Sequence, residues 1–277
     1  MPEEELQAQS YWEERLSANL GLTTVGHAGL GYAYNAWLYR ARYRALRRAL
    51  AIAGIDARGA AVAEVGVGSG AYIPFWRAQG IRRLTGFDIT SISVQTLAAR
   101  YPEYAFVQCD IGADLSAAAP RDHDLVTAFD VLFHIVEDAH FARAIANLAG
   151  LARPRGHLLI SDSLADRAWG PTHTEHHRTF DHYRDEMARN RLRVVAVEPI
   201  FYTMTTTFAG SPSLARFTRR TTRAIGKLAA RPSTAWANHL SGAALYAADG
   251  LLARSGERGP SLNLLVAVKD GDDAAAP

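Results

Sequence analysis

Val62-Ala63-Glu64-Val65-Gly66-Val67-Gly68-Ser69-Gly70 runs an apolar strand into three glycines at alternate positions. A helical pattern follows over residues 71–79. A side chain at Gly66 or Gly68 would keep a ligand off the backbone. A helix starting near Gly70 offers unpaired N–H groups to a carboxylate or phosphate. The stretch therefore reads as a strand, a ligand-cradling turn and a helix. Gly66, Gly68 and Ala71 also fit the dinucleotide pattern G-x-G-x-x-G/A, so the loop alone leaves a nicotinamide cofactor open.

Around this unit, short apolar runs recur at 61–65, 84–87, 105–107, 125–128 and 158–160. Helical patterns at 91–100 and 138–153 separate them, with Pro154-Arg155-Gly156 as a stop and turn. Two later runs, 193–198 and 262–268, bring the strands to seven. Strands alternating with helices predict an α/β fold, a doubly wound and mostly parallel sheet. Residues 1–56 read as a helical N-terminal cap, 57–200 as the core and 201–260 as a helical insertion before the last strand at 261–270. Residues 271–277 read as a disordered tail.

The chain has 277 residues, 48% of them hydrophobic, enough for one large domain or a domain with caps. Its net charge of +2 gives no global field toward nucleic acid. The single cysteine, Cys109, excludes an intrachain disulfide framework. The opening Met-Pro-Glu-Glu-Glu lacks the basic and apolar regions of a secretory signal. The uncharged stretch 232–248 is too short for a bilayer span. A cytoplasmic location and no transmembrane segment are the expectations.

Three acids narrow the cofactor. Glu64 lies inside the first strand, Asp88 ends the second and Asp110 follows the third. A carboxylate only accepts hydrogen bonds, which suits the paired hydroxyls of a ribose. With Asp130 after the fourth strand, the intervals from Gly70 are 18, 22 and 20 residues, each room for a helix and a strand. In these motifs the chain resembles the class I S-adenosylmethionine-dependent methyltransferases of the small-molecule type, whose glycine loop reads E/D-x-G-x-G-x-G. The resemblance implies a Rossmann-like fold and S-adenosyl-L-methionine as cofactor. It assigns the glycine loop to Glu64, Gly66, Gly68 and Gly70. It gives the ribose to Asp88 beside Ile89, the adenine to Asp110 and Ile111, and the methionine moiety to the fourth-strand end at Phe129. It also suggests Tyr34 over the methionine carboxylate. Residues 151–157 resemble the family's L-x-P-G-G turn, with Arg155 in place of the first glycine.

Methyl transfer from a sulfonium is an in-line displacement, so the protein must align nucleophile and methyl and remove a proton where the nucleophile carries one. Candidate bases are His134 after the fourth strand, and His176 and His177 in the histidine-rich loop 171–178 after the fifth. No metal is required for this chemistry, and no metal site is predicted. The acceptor reads as O, N or C of a small molecule, a specialised metabolite or a sugar. The alternatives are an NAD(P)-dependent oxidoreductase, for which Glu64 and Asp110 have no use, and a lipid-directed methyltransferase.

Both caps are locally basic. Residues 15–55 hold arginines and no acid, and so do residues 211–231, where Arg216, Arg220, Arg223, Lys227 and Arg231 follow helical spacing. The expectation is that the caps close over an acceptor bearing an anionic group, with Arg178 and the nearby histidines completing its pocket.

Overall fold

The computed structural model describes residues 3–113, 115, 120–205, 212–229, 235–255 and 258–271. The tail at 272–277 and Arg231 lie outside them. Three helices, α1 (Glu3–Ala18), α2 (Leu22–Val25) and α3 (Gly31–Ile52), precede the sheet. Strands β1 (Ala61–Val65), β2 (Arg83–Asp88), β3 (Ala105–Gln108), β4 (His123–Phe129) and β5 (Ala152–Asp162) then alternate with α4 (Ile73–Gln79), α5 (Ser91–Arg100) and α6 (Asp138–Leu151). Helix α7 (Phe180–Arg189) leads into β6 (Leu192–Pro199). Helices α8 (Pro212–Ala229) and α9 (Ala235–Leu252) come before β7 (Asn263–Lys269).

The sheet has seven strands in the order β3-β2-β1-β4-β5-β7-β6. Strands β1 to β5 are parallel, and β7 is antiparallel to both β5 and β6. Alternation along each strand feeds two cores. Val62, Leu84 and Leu125 pack with α3, Phe75 and Trp76 on one face. Ala63, Val65 and Val126 pack with Phe141, Ile145 and Leu148 of α6, and with Tyr183 of α7, on the other.

The sequence places the end of α6 at residue 153, but the helix stops at Leu151 and Ala152 already pairs with His123. The turn predicted at 154–156 is a bend inside β5, made by Arg155 at φ 61°. Left-handed backbone favours glycine, so the arginine holds a glycine-type conformation.

The caps are tied down by specific contacts. Glu13 of α1 accepts from the Ser91 and Ile92 N–H groups at 2.8 and 3.0 Å, capping α5 from outside that helix. The arginines of α3 clamp the insertion: Arg44 donates to the Tyr246 carbonyl at 2.8 Å, and Arg48 donates to the Ala253 carbonyl at 2.7 Å. Arg48 also pairs with Glu198 at 3.0 Å. Helix α8 buries Thr218, Thr222 and Ile225, which turns its basic stripe to solvent. Among the described residues no helix is long and apolar enough to cross a membrane.

Candidate functional site

The carboxyl ends of β1, β2, β3 and β4 open into one cavity of about 690 Å³, roofed by α1 and walled by α3 and the 172–175 segment. An open α/β sheet binds ligands at this edge. The glycine turn builds one wall. Gly66 (φ 69°) and Gly68 (φ 50°) adopt left-handed backbone, and a Cβ on Gly66 would lie 2.2 Å from Val131. The Phe87 carbonyl accepts the N–H groups of Gly66 and Val67, stitching the turn to β2.

Asp88 is 6% exposed and organises this wall. One oxygen accepts the Gly68 N–H at 2.8 Å, and the other accepts the Thr90 N–H and hydroxyl at 2.9 and 2.6 Å. Burial raises its pKa, and these bonds oppose the rise. Asp110 accepts the Gly112 N–H at 2.7 Å. Asp88, Asp110, Ile89, Ile111 and Phe129 all line the cavity.

At the end of β4 lies a group that the sequence reading did not assemble. Asp130 has φ 58°, a conformation rarely held outside glycine and asparagine. Its N–H donates to the Ser161 hydroxyl at 2.8 Å, and that hydroxyl donates back to its carboxylate at 2.7 Å. Arg42 of α3 donates Nε and Nη2 to the other oxygen at 3.0 and 2.6 Å. Burial disfavours the guanidinium charge, but the neighbouring Asp130 outweighs it and Arg42 stays charged. The third nitrogen, Nη1, is buried without a partner among the described residues. Arg42 and Asp130 both line the cavity. So do Tyr39 and Tyr72, whose phenols burial holds protonated. The spacing Tyr39 to Arg42 on one helix face was the signal available for this group.

His134 also faces the cavity, edge-on to Trp12 at 4.9 Å. Its Nδ1 lies 2.9 Å from the Thr174 carbonyl. A carbonyl only accepts, so Nδ1 carries the proton and Nε2 keeps its lone pair. Burial lowers its pKa, so the ring is neutral near pH 7. The Cys109 thiol, pushed up to about 11 by burial, stays protonated.

Several expected residues lie elsewhere. Glu64 is buried in β1 beneath the turn and does not line the cavity; burial pushes its carboxyl up to about 8. Gly70 is a packing position, where a Cβ would meet Leu97 at 2.7 Å. Tyr34 is fully buried and donates to the Met204 carbonyl at 2.8 Å. It is five residues from Tyr39, which rotates it away from the cavity wall. His176 Nδ1 bonds the Val136 carbonyl at 3.0 Å, outside the cavity lining. His177 is 3% exposed, held by Asp162 at 2.5 Å and stacked on Phe133. Arg178 turns inward to the Ile135 and Val136 carbonyls, each at 2.9 Å, so it anchors a loop and completes no pocket. The basic stripe of α8 contributes nothing to the cavity among the described residues, because Thr218, Thr222 and Ile225 take the inner face. Among those residues no three His, Cys, Asp or Glu side chains gather as a metal cluster.

Residues 62–156 match the model of a methyltransferase domain. A curated relative, the ubiquinone biosynthesis O-methyltransferase of Neisseria meningitidis serogroup C, is 31% identical over 110 residues. That match spans 38% of this chain and 45% of the relative, so the chain covers under half of the relative's length. Among solved structures, the magnesium protoporphyrin IX methyltransferase of Synechocystis PCC 6803, with bound S-adenosylmethionine, superposes with a TM-score of 0.55 at 14% identity. The overlap covers 98% of this chain and 99% of that one. The 1,6-didemethyltoxoflavin-N1-methyltransferase of Burkholderia thailandensis, with bound S-adenosylhomocysteine, gives 0.51 at 18% identity, over 83% and 78% of the two chains. These two likenesses concern the fold, whereas the domain match falls on the glycine loop and the acids that line the cavity. Over residues 62–156 the chain thus matches a methyltransferase domain, set in a fold that the two solved methyltransferases share.

Proposed function

We propose that the chain moves a methyl group from S-adenosylmethionine to an O, N or C atom of a small molecule, a specialised metabolite or a sugar, in the cytoplasm. The observation that carries this reading is the convergence of Asp88, Asp110, Arg42–Asp130 and His134 on one cavity. The donor set fits the cofactor. Gly66 and Gly68 let the backbone approach it. Asp88 would accept from ribose hydroxyls and Asp110 from the adenine amino group, with Ile89 and Ile111 offering apolar surface to the base. The orphaned Nη1 of Arg42 supplies a buried cationic donor for the methionine carboxylate. When bound, the cofactor supplies an activated methyl and a neutral leaving group.

The chain's own task is then to hold the acceptor in line and take its proton. His134 Nε2 is the base that the tautomer leaves open. Trp12 and Phe133 line that end of the cavity with apolar surface. An acceptor with an anionic group meets Arg15 on the roof. Calorimetry tests the reading: S-adenosylhomocysteine should bind and NAD should not. Tight NAD binding with no sulfonium or thioether binding would refute it.

A further inference from the structure

The outward face of α9 has an unusual composition. Trp236, Leu240, Ala244, Ala247 and Leu251 recur at helical spacing and are all exposed, with Trp236 at 67%, Leu240 at 58% and Leu251 at 65%. The opposite face, at Asn238, Gly242 and Asp249, is the buried one. Asp249 is the only Asp, Glu, Lys or Arg of α9, and it is buried. An apolar stripe about four turns long thus faces water.

Helix α8 packs beside α9 and presents the complementary chemistry. Arg216, Arg220, Arg223 and Lys227 are exposed opposite the buried Thr218, Thr222 and Ile225, and Arg219 is exposed at the flank. Phe217 stands among them, 52% exposed. No acid occurs between residues 211 and 231. Arg219 and Arg223 also line a cleft of about 280 Å³ against His27 and Gly29, a seat for an anionic group.

We propose that the α8–α9 pair is a docking face for the surface of an anionic lipid bilayer. Exposed tryptophan and leucine enter the headgroup–acyl boundary, while the adjacent guanidinium groups meet lipid phosphates. Charge selects this occupant over a second copy of the chain. A two-fold contact sets the same patch against itself, and this patch holds cations with no acid to answer them. Docking uses a surface apart from the cavity, so it can fail while methyl transfer stands.

Sedimentation of the purified full chain with vesicles decides the matter. The chain should pellet with phosphatidylcholine vesicles containing phosphatidylglycerol, should stay in solution with phosphatidylcholine alone, and should detach at high salt. Arg220→Gln/Arg223→Gln/Lys227→Gln should weaken partitioning on the order of 100-fold, roughly fivefold per charge. Arg220→Lys/Arg223→Lys should keep it. Trp236→Ser/Leu240→Ser should abolish it with the melting temperature unchanged. Failure to pellet with the anionic vesicles, or equal pelleting with both kinds, would overturn the proposal. So would a dimer in ultracentrifugation that Trp236→Ser/Leu240→Ser converts to monomer.

Discussion

Glu64→Gln should change how stability depends on pH. Glu64 is 2% exposed in β1, an inner strand, and its Oε2 is buried without a partner among the described residues. Burial moves its ionisation from 4.5 to about 8. A carboxyl raised in the fold is protonated there while the unfolded chain releases its proton. Its contribution is therefore complete below pH 4.5 and is lost as pH rises toward 8. Each pH unit in that window costs about 1.4 kcal/mol, so the step from pH 5 to pH 7 costs roughly 2–3 kcal/mol. Glutamine keeps the shape and carries no charge, so the variant should lose this slope. The depressed pKa values of His123, His134 and His157 act with the opposite sign in both proteins and cancel in the comparison. Urea unfolding at half-unit pH steps gives the two curves. Parallel curves from pH 5 to pH 7 would show that Glu64 ionises normally and would refute the burial reasoning.

Three further outcomes are expected. Arg42→Met and Asp130→Asn each strand a buried partner and should each cost about 3 kcal/mol; the double variant should fall short of the sum by about 2 kcal/mol, and simple additivity in urea unfolding would contradict the pair. Asp88→Ala should weaken S-adenosylhomocysteine binding by about 1.5–3 kcal/mol in calorimetry, the range for hydrogen bonds to a charged group. With His134 as base, turnover should fall with acid through a pKa below 6.5, and His134→Gln should lower kcat about 10²–10⁴-fold and remove that limb.

Much of the sheet was legible because its signals are local. Alternating apolar runs, glycines at left-handed positions and acids just past strand ends are all read within a few residues. The Gly66–Gly68 turn, Asp88 and Asp110 belong to this class. Arg42 and Asp130 do not: they lie 88 residues apart, and their meeting depends on how α3 rotates against the sheet. The same rotation turned Tyr34 into the core and Tyr39 toward the cavity. In the histidine loop, residue type was visible but direction was not. His177 and Arg178 found partners inside, at Asp162 and at the Ile135 and Val136 carbonyls, while His134, outside that loop, presents Nε2 to the cavity. The arginines of α3 looked like a charge surplus, but Arg44 and Arg48 satisfy carbonyl groups of the insertion.

The place of β7 between β5 and β6 has a consequence for the order of folding. Strand β6 touches the sheet only through β7, although β6 is made first and some sixty residues separate the two. Until β7 arrives, β6 has no ladder to join and β5 remains an edge, its N–H and C=O groups unpaired on that side. The intervening length adds little entropy, since each doubling of a loop costs only about 0.6 kcal/mol. Its effect falls on time instead: β7 is the last strand made and must enter between β5 and β6, so the sheet closes last at this inner seam and not at its rim.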